Sequence, residues 1–243
     1  MSGHSHWAGI KYKKGLADLK RGQAFSKLAR EIEIAAREGG DPNFNPKLRV
    51  AIEKAKDLRL PTENIERAIK RGTGELKAEK LQEVLFEAYG PAGIAIIIEG
   101  ITDNKNRTLG EIKQILNQNG GKLVSEGAVK WMFERKGCLV INPKLQIPNY
   151  KTKEELEIAA IEAGANDVYW HGDVLDIYTK IEDLEKVKKN LEEKGIKIES
   201  TSLDWVAKEE IKLDEKAKEA CQKLFEALDE NEAVQEIYSN LKM

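Results

Sequence analysis

The spacing of the apolar residues is helical up to Gly93 and then begins to alternate between helical and strand-like, and this change limits the folds available to the chain. Before Gly93, apolar residues recur every three or four positions, which is typical of amphipathic helices. One such stripe lies within residues 23–38, and two more helices follow, with starts marked by prolines at Pro46 and Pro61. We therefore predict that residues 1–80 form a small helical bundle that follows an N-terminal arm.

After Gly93 the chain alternates strand-like and helical patterns. The first group indicates β-α-β-β, with its last two strands joined by a turn at Glu126-Gly127, and is short of a full ferredoxin-like unit. A complete β-α-β-β-α-β unit follows, and the missing α-β of the first group comes at the C-terminus. The predicted segments are 94–101, 107–119, 122–124 and 129–133 in the first group, 138–141, 152–163, 167–170, 174–178, 181–194 and 196–200 in the second, and 214–228 and 234–238 at the C-terminus.

The predicted fold class is α+β and multidomain: an N-terminal helical bundle and two ferredoxin-like α+β domains, one inserted in the other. The predicted boundaries are residues 1–80 for the bundle, 81–134 with 207–243 for the discontinuous domain, and 135–206 for the inserted domain. Right-handed crossovers make this topology easy to close.

Charge is distributed unevenly between the two parts of the chain. Residues 1–80 contain 18 Lys and Arg against 11 Asp and Glu, a net charge of +7. The other 163 residues carry −9, so the total of −2 conceals a basic head on an acidic body. A surface of this kind attracts polyanions.

The arm combines aromatic and cationic residues in a short stretch of chain. Trp7 and Tyr12 can stack on unpaired bases while the lysines around them contact phosphates. An alternative interpretation makes Trp7 and Tyr12 hydrophobic anchors that hold the arm against the bundle, and the residues alone leave both open. The arm residues predicted to contact nucleic acid are Trp7, Lys11, Tyr12, Lys13, Lys14, Lys20 and Arg21.

Cations on the predicted helices form a second group. Such charges are usually a solvated helix face, and nearby glutamates can pair with some of them. Clustering at Lys70-Arg71, beside a glycine-rich turn, is the strongest signal in this group. The members predicted to contact nucleic acid are Lys27, Arg30, Lys47, Arg49, Lys70 and Arg71, with Arg37 and Arg67 on the same helices.

The sequence shows no pattern typical of an enzyme. It contains no Ser-His-Asp, Cys-His or phosphate-loop arrangement, and Gly72-x-Gly74 is not placed as a dinucleotide fingerprint. His4-x-His6 has no third metal ligand nearby. Cys138 and Cys221 are interpreted as core residues in a reducing cytoplasm. We therefore predict a non-enzyme with no catalytic residue, metal or cofactor.

No segment of the sequence predicts membrane insertion or export. The longest apolar run, at residues 94–98, has the length of a buried strand and is too short to cross a bilayer. The N-terminus lacks the apolar stretch of a secretory signal. We expect a cytoplasmic protein without membrane contact, as a monomer or weak oligomer.

Several sequence blocks resemble hallmarks of the YebC family, in the same order along the whole chain. They are residues 4–11 (HSHWAGIK), 35–40 (AAREGG), 65–72 (IERAIKRG), 89–91 (YGP) and 102–108 (TDNKNRT). One departure is His6, where the family usually has Lys. This change makes the charge of the arm depend on pH at about pH 6.5, where histidine ordinarily titrates.

The resemblance implies a helical first domain, two α+β domains and a role in gene expression. Members of the family are known as cytoplasmic, probable transcriptional regulators that bind DNA. Mitochondrial relatives are translational activators of cytochrome oxidase, and bacterial relatives are linked to ribosomes stalled on proline-rich peptides. Duplex DNA and ribosomal RNA are therefore both open as targets.

The leading prediction is a nucleic-acid-binding regulator, and two other classes stay open. One is a small-molecule sensor or enzyme that uses a cleft between the α+β domains. The other is an assembly factor that docks on protein through Trp131, Trp170 or Trp205, although these tryptophans are predicted to be core residues.

Replacing Lys11, Lys13 and Lys14 by Ala is expected to weaken nucleic-acid binding and to flatten its dependence on salt. Each lost phosphate contact should lower the slope of log K against log[salt] by about one unit, because fewer counterions are released. Binding titrations at several salt concentrations measure this slope. An unchanged slope would remove the arm from the interface.

Overall fold

The computed structural model describes residues 5–6, 18–78, 80–142 and 152–242. These residues divide into two compact units. One contains the described residues of 18–129 together with 213–239, and the other contains those of Lys130–Lys212 together with 240–242. The helical segment and the first sheet share a unit, and the predicted boundaries of three domains stay predictions.

Residues 18–78 contain three α-helices, as the apolar stripes predicted. Helix α1 spans Asp18–Ala35 and continues into a 3-10 turn at Ala36–Glu38. Helix α2 spans Pro46–Asp57, and α3 spans Thr62–Gly72. The predicted stripes meet in one core, whose buried members are Leu28, Ile32, Ala35, Ala36, Leu48, Ala51, Ile52, Ala55, Leu60, Ile65 and Ala68.

Helix α2 begins where the sequence predicted. Pro46 occupies the first helical position, and the Asn45 side chain accepts a hydrogen bond from Leu48 N at 3.0 Å. The amide nitrogen of Asn45 also donates to the carbonyls of Ala35 (2.7 Å) and Gly39 (2.8 Å). One buried side chain therefore ends the connection from α1 and starts α2.

The first sheet has five strands among the described residues, in the order β1-β9-β3-β2-β4. Strand β2 pairs antiparallel with β3 and with β4, and β3 pairs antiparallel with β9. Besides the three helices of residues 18–78, the same unit contains α4 between β3 and β4 and α7 before β9. The bounds are Ser5–His6 for β1, Gln82–Tyr89 for β2, Ala95–Thr102 for β3, Lys105–Gln118 for α4, Lys122–Val124 for β4, Glu215–Asp229 for α7 and Val234–Ser239 for β9.

The predicted strand order of this sheet is wrong in two places. Strand β2 was not predicted, so the unit begins β-β-α-β and not β-α-β-β. The predicted strand at residues 129–133 does not form a hairpin with β4. Its place is taken by a 3-10 turn at Lys130–Met132, and Phe133 starts a strand of the second sheet.

Glu87 on β2 provides the physical reason for this difference. Its carboxylate is only 2% exposed and accepts hydrogen bonds from Gly127 N at 2.6 Å and Val129 N at 2.7 Å. These backbone groups therefore bind a side chain and not a neighbouring strand. The same buried carboxylate interrupts the apolar pattern of β2, which hid this strand in the sequence.

The second sheet has the complete β-α-β-β-α-β succession that the sequence predicted. Its strand order is β6-β7-β5-β8, which is the ferredoxin-like arrangement. The bounds are Phe133–Ile141 for β5, Lys153–Ala163 for α5, Asp167–His171 for β6, Val174–Thr179 for β7, Leu184–Glu193 for α6 and Ser200–Ala207 for β8. Its core contains Leu139, Ile141, Leu156, Ala160, Leu175, Ile177, Val187 and Leu191.

The last strand of this sheet begins later than predicted. We expected it at residues 196–200, but β8 starts at Ser200. Ile196 is buried in the core beside the end of α6, and its backbone N–H donates to Leu191 O at 3.0 Å. The apolar residue at this position therefore packs at the C-terminal end of α6 and does not belong to a strand.

The part of the chain that the structure describes contains no helix with the length and apolar character needed to cross a membrane.

Replacing Glu87 by Ala is expected to destabilise the first unit. The substitution leaves the buried N–H of Val129 and the partly buried N–H of Gly127 without this acceptor. Each loss should lower the free energy of unfolding by about 1–3 kcal/mol. Urea unfolding should show the loss, while Glu83→Ala, an exposed glutamate on the same strand, should change little. Equal stability of the two variants would show that the Glu87 contacts contribute nothing.

Candidate nucleic-acid interface

The exposed face of α3 carries three cations. Ile65 and Ala68 face the core, and at helical spacing Arg67, Lys70 and Arg71 project away from it. Among the described residues, no carboxylate forms an ion pair with any of these three cations. Their charges are therefore available to an external anion.

Close packing of α3 against α1 fixes the position of this cationic end. A Cβ added at Gly72 would lie 2.3 Å from the carbonyl oxygen of Glu33 and 2.6 Å from Cβ of Ala36. Only glycine fits there, so the last turn of α3, with Lys70 and Arg71, is pressed against the end of α1. Cations in a last helical turn also interact favourably with the helix dipole.

Lys47 and Arg49, at the start of α2, are exposed and already engaged in local contacts. Lys47 Nζ lies 2.5 Å from the Glu38 carboxylate, which partly neutralises it. Arg49 donates a long hydrogen bond of 3.4 Å to the carbonyl of Pro42. An exposed ion pair of this kind contributes little to stability, so Lys47 can exchange Glu38 for another anion.

Lys27 does not belong to an open basic surface, because its ammonium is engaged within the protein. It is 8% exposed, and its ammonium donates to the carbonyl of Asp229 at 2.6 Å and to its carboxylate at 3.0 Å. Arg30 likewise donates to the carbonyl of Glu232 at 2.8 Å and to its carboxylate at 3.2 Å. Both cations hold α1 to the segment between α7 and β9, so Arg30 is also occupied within the protein.

Lys54 on α2 extends the same network. Its ammonium lies 3.2 Å from Glu31 and 3.1 Å from Glu236. Loss of solvation lowers the pKa of Lys54, but the charges and hydrogen bonds of Glu236 and Glu31 outweigh this effect and raise the pKa above its ordinary value. Lys54 therefore stays charged and pairs with acids of both the bundle and the first sheet.

The remaining predicted contacts lie at or beyond the edge of the described residues. Lys20 and Arg21 are in the first turn of α1, where the backbone alone is described. The arm residues Trp7, Lys11, Tyr12, Lys13 and Lys14 lie outside the described residues. Their contacts with nucleic acid stay predictions.

Phe44 is an exposed aromatic residue that the sequence patterns did not indicate. It lies in the turn between α1 and α2 and is 89% exposed. No helical or strand period includes it, because it is a single apolar residue among polar turn residues. Its position directly before the helix cap Asn45 was the available signal.

The 102–108 block is explained by helix capping. Asn104 caps α4 by accepting a hydrogen bond from Arg107 N at 3.0 Å. The Arg107 guanidinium pairs with Asp103 and lies 3.7 Å from Glu111. Loss of solvation raises the pKa of Asp103, but hydrogen bonds, chiefly from Arg107, overcome this and lower it. Arg107 is thus paired within its own helix.

The three tryptophans predicted as core residues differ in burial. Trp131 is 64% exposed, so for this residue the prediction is wrong. Trp170 and Trp205 are partly buried, and their rings are covered by cations. Lys153 lies 4.5 Å from the Trp170 ring centre, and Lys130 and Arg135 lie 5.2 and 5.0 Å from that of Trp205.

Comparison with known proteins covers nearly the whole chain. Residues 5–75 match the family described as TACO1/YebC protein N-terminal domain, and residues 81–241 match TACO1/YebC second and third domain. A "Probable transcriptional regulatory protein" of Halothermothrix orenii is 49% identical, over 99% of this chain and 94% of the relative. One with the same name from Persephonella marina is 48% identical, over 100% and 96%.

A solved structure has the same fold. The crystal structure of a conserved hypothetical protein from Aquifex aeolicus is 44% identical to this chain and superposes with a TM-score of 0.87. The match covers 98% of this chain and 97% of the other.

Replacing Lys27 by Ala is expected to lower stability without changing the salt dependence of nucleic-acid binding. The substitution removes the ammonium that neutralises the buried Asp229 carboxylate, at a cost of about 3 kcal/mol. Chemical unfolding measures this loss, and Arg49→Ala, an exposed cation of the same bundle, should unfold like the unmodified protein. A flattened salt slope in the folded Lys27 variant would return this residue to the binding surface.

Proposed function

Because this chain belongs to the TACO1/YebC family, we propose that it is a nucleic-acid-binding regulator of gene expression, without enzymatic activity, that acts in the cytoplasm. The observation that carries this proposal is the set of exposed cations Arg67, Lys70 and Arg71 on α3, which form no ion pair with the residues that the structure describes. Unpaired cations gain most from contact with a phosphate backbone, since no internal ion pair has to be broken.

The distribution of charge along the whole chain also supports binding of nucleic acid by the helical segment. The net +7 of residues 1–80 lies beside a net −9 in the other 163 residues. A polyanion is attracted by the basic part and repelled by the acidic part. Charge alone therefore directs nucleic acid to the helical segment.

Binding is proposed to depend on phosphates more than on base edges. Exposed positions of α3 carry Glu63, Glu66, Arg67, Lys70 and Arg71, with no exposed Asn or Gln on this helix to pair with a base edge. A phosphate-directed surface holds the protein on its target without selecting a long sequence. Duplex DNA is the target that the names of the relatives favour.

Ribosomal RNA is the alternative target, and one observation favours it. Phe44 is an exposed aromatic in the basic segment, and unpaired RNA bases stack on such side chains. On this alternative the protein regulates translation on the ribosome.

The proposal is tested by replacing Arg67, Lys70 and Arg71 together by Ala. The slope of log K against log[salt] for duplex DNA or structured RNA should fall by about one unit for each phosphate contact that is lost. The matched control replaces the exposed lysines Lys113, Lys180 and Lys186, which lie on other elements, and removes the same charge. Equal slopes for the two triple variants would contradict the proposed surface.

A further inference from the structure

Phe44 stands apart from the other large apolar residues of the protein. At 89% exposure it is more open than Trp131, at 64%, the next of these residues in the described part of the chain. Single exposed apolar residues are common on protein surfaces, so exposure alone does not assign a role. The structure around Phe44 adds two further observations, a backbone held by hydrogen bonds and cations on the helix ends that this turn contacts.

The backbone that carries Phe44 is fixed by its neighbours. The Asp41 carboxylate accepts hydrogen bonds from the backbone and side-chain nitrogens of Asn43 at 2.8 and 2.9 Å, and Phe44 N donates to Asp41 O at 3.1 Å. On the other side, the buried Asn45 is bonded to Ala35, Gly39 and Leu48. The ring is therefore presented to solvent by a preorganised turn, which reduces the entropy lost on binding.

One cation contacts this turn directly, and others lie on the helix ends that pack against it. Arg49 reaches back from α2 to the carbonyl of Pro42, at 3.4 Å, which places a guanidinium beside the turn. A Cβ on Gly40 would lie 2.7 Å from Cγ2 of Thr73, so the turn starts in contact with the end of α3. Lys70 and Arg71 belong to that end of α3.

Arg37 completes the group from the end of α1. Its neighbour Ala36 meets Gly72 so closely that a Cβ there would lie 2.6 Å from Cβ of Ala36. Arg37 and Arg71 thus flank the same helix contact, and both are exposed. We call these five residues, Arg37, Phe44, Arg49, Lys70 and Arg71, the Phe44 surface.

We infer that the Phe44 surface binds an unpaired nucleotide of single-stranded nucleic acid, with the base stacked on Phe44 and the flanking phosphates on the cations. A free aromatic face suits a base that has left its own stack, whereas a closed duplex offers no free base face to it. The aromatic ring supplies affinity without charge, and the cations supply the salt dependence. This inference rests on the proposed function and adds to it the form of nucleic acid that is recognised.

The test compares Phe44→Ala, Phe44→Trp and Phe44→Leu with the unmodified full chain. The probes are a fluorescent single strand of about 12 nucleotides, as RNA and as DNA, and its closed duplex. Phe44→Ala should bind the single strand about 5- to 100-fold more weakly, with an unchanged salt slope. Phe44→Trp should restore binding, Phe44→Leu should not, and the affinity for duplex should stay constant. Trp131→Ala serves as the matched loss of an exposed aromatic residue and should have no effect.

Three results would overturn the inference. The first is an unchanged affinity of Phe44→Ala for the single strand. The second is full single-strand binding by Phe44→Leu, which would indicate an apolar contact and not stacking. The third is an equal loss of affinity for the duplex, or the same loss in Trp131→Ala. The inference and the proposed function fail separately. If Phe44→Ala binds normally while the α3 triple variant still flattens the slope, stacking is excluded and the phosphate surface stands. If the triple variant has no effect, the proposed surface is contradicted whatever Phe44 does.

Discussion

Ion pairs between the helical bundle and the C-terminal part of the chain hold the first unit together. Lys27 on α1 binds Asp229 at the end of α7, 202 residues away, and Lys54 on α2 binds Glu236 on β9. The Lys27–Asp229 pair is largely buried, whereas the Lys54 side chain is 45% exposed. In a buried pair desolvation offsets most of the attraction, but removing one partner is costly. These contacts therefore specify where the helices pack more than they strengthen the packing.

This docking divides the cations of the basic segment into two classes. Those on the side of α1 and α2 that faces α7 and β9 are neutralised by acids of the same unit. Those at the end of α3, such as Lys70 and Arg71, have no such partner among the described residues. A net charge of +7 for residues 1–80 thus overstates the positive charge that an external anion meets, and the proposed binding surface is limited to one end of the bundle.

Much of the fold could be predicted from the sequence, because its signals are local. Apolar stripes located the three helices, Pro46 marked the start of α2, and the second α+β unit followed from its alternation of periods. Strand β2 was missed because Glu87 is buried within it to bind a distant turn. The candidate site was less predictable: the sequence indicated the cations Lys27, Lys70 and Arg71 alike, although Lys27 is buried and paired while the other two are exposed, and Phe44 has no periodic neighbours.

The sequence by itself determined most of the helices and strands, the uneven charge and the absence of an enzyme motif, since each depends on residue type and spacing along the chain. Only the tertiary structure decided which charges are open and which apolar side chain is left outside the core. Whether a lysine meets a phosphate or a carboxylate depends on what packs against its helix, and for Lys27 that partner lies at the other end of the chain. The exposure of Phe44 has the same origin, because its rigid turn is held by contacts to α1, α2 and α3 together.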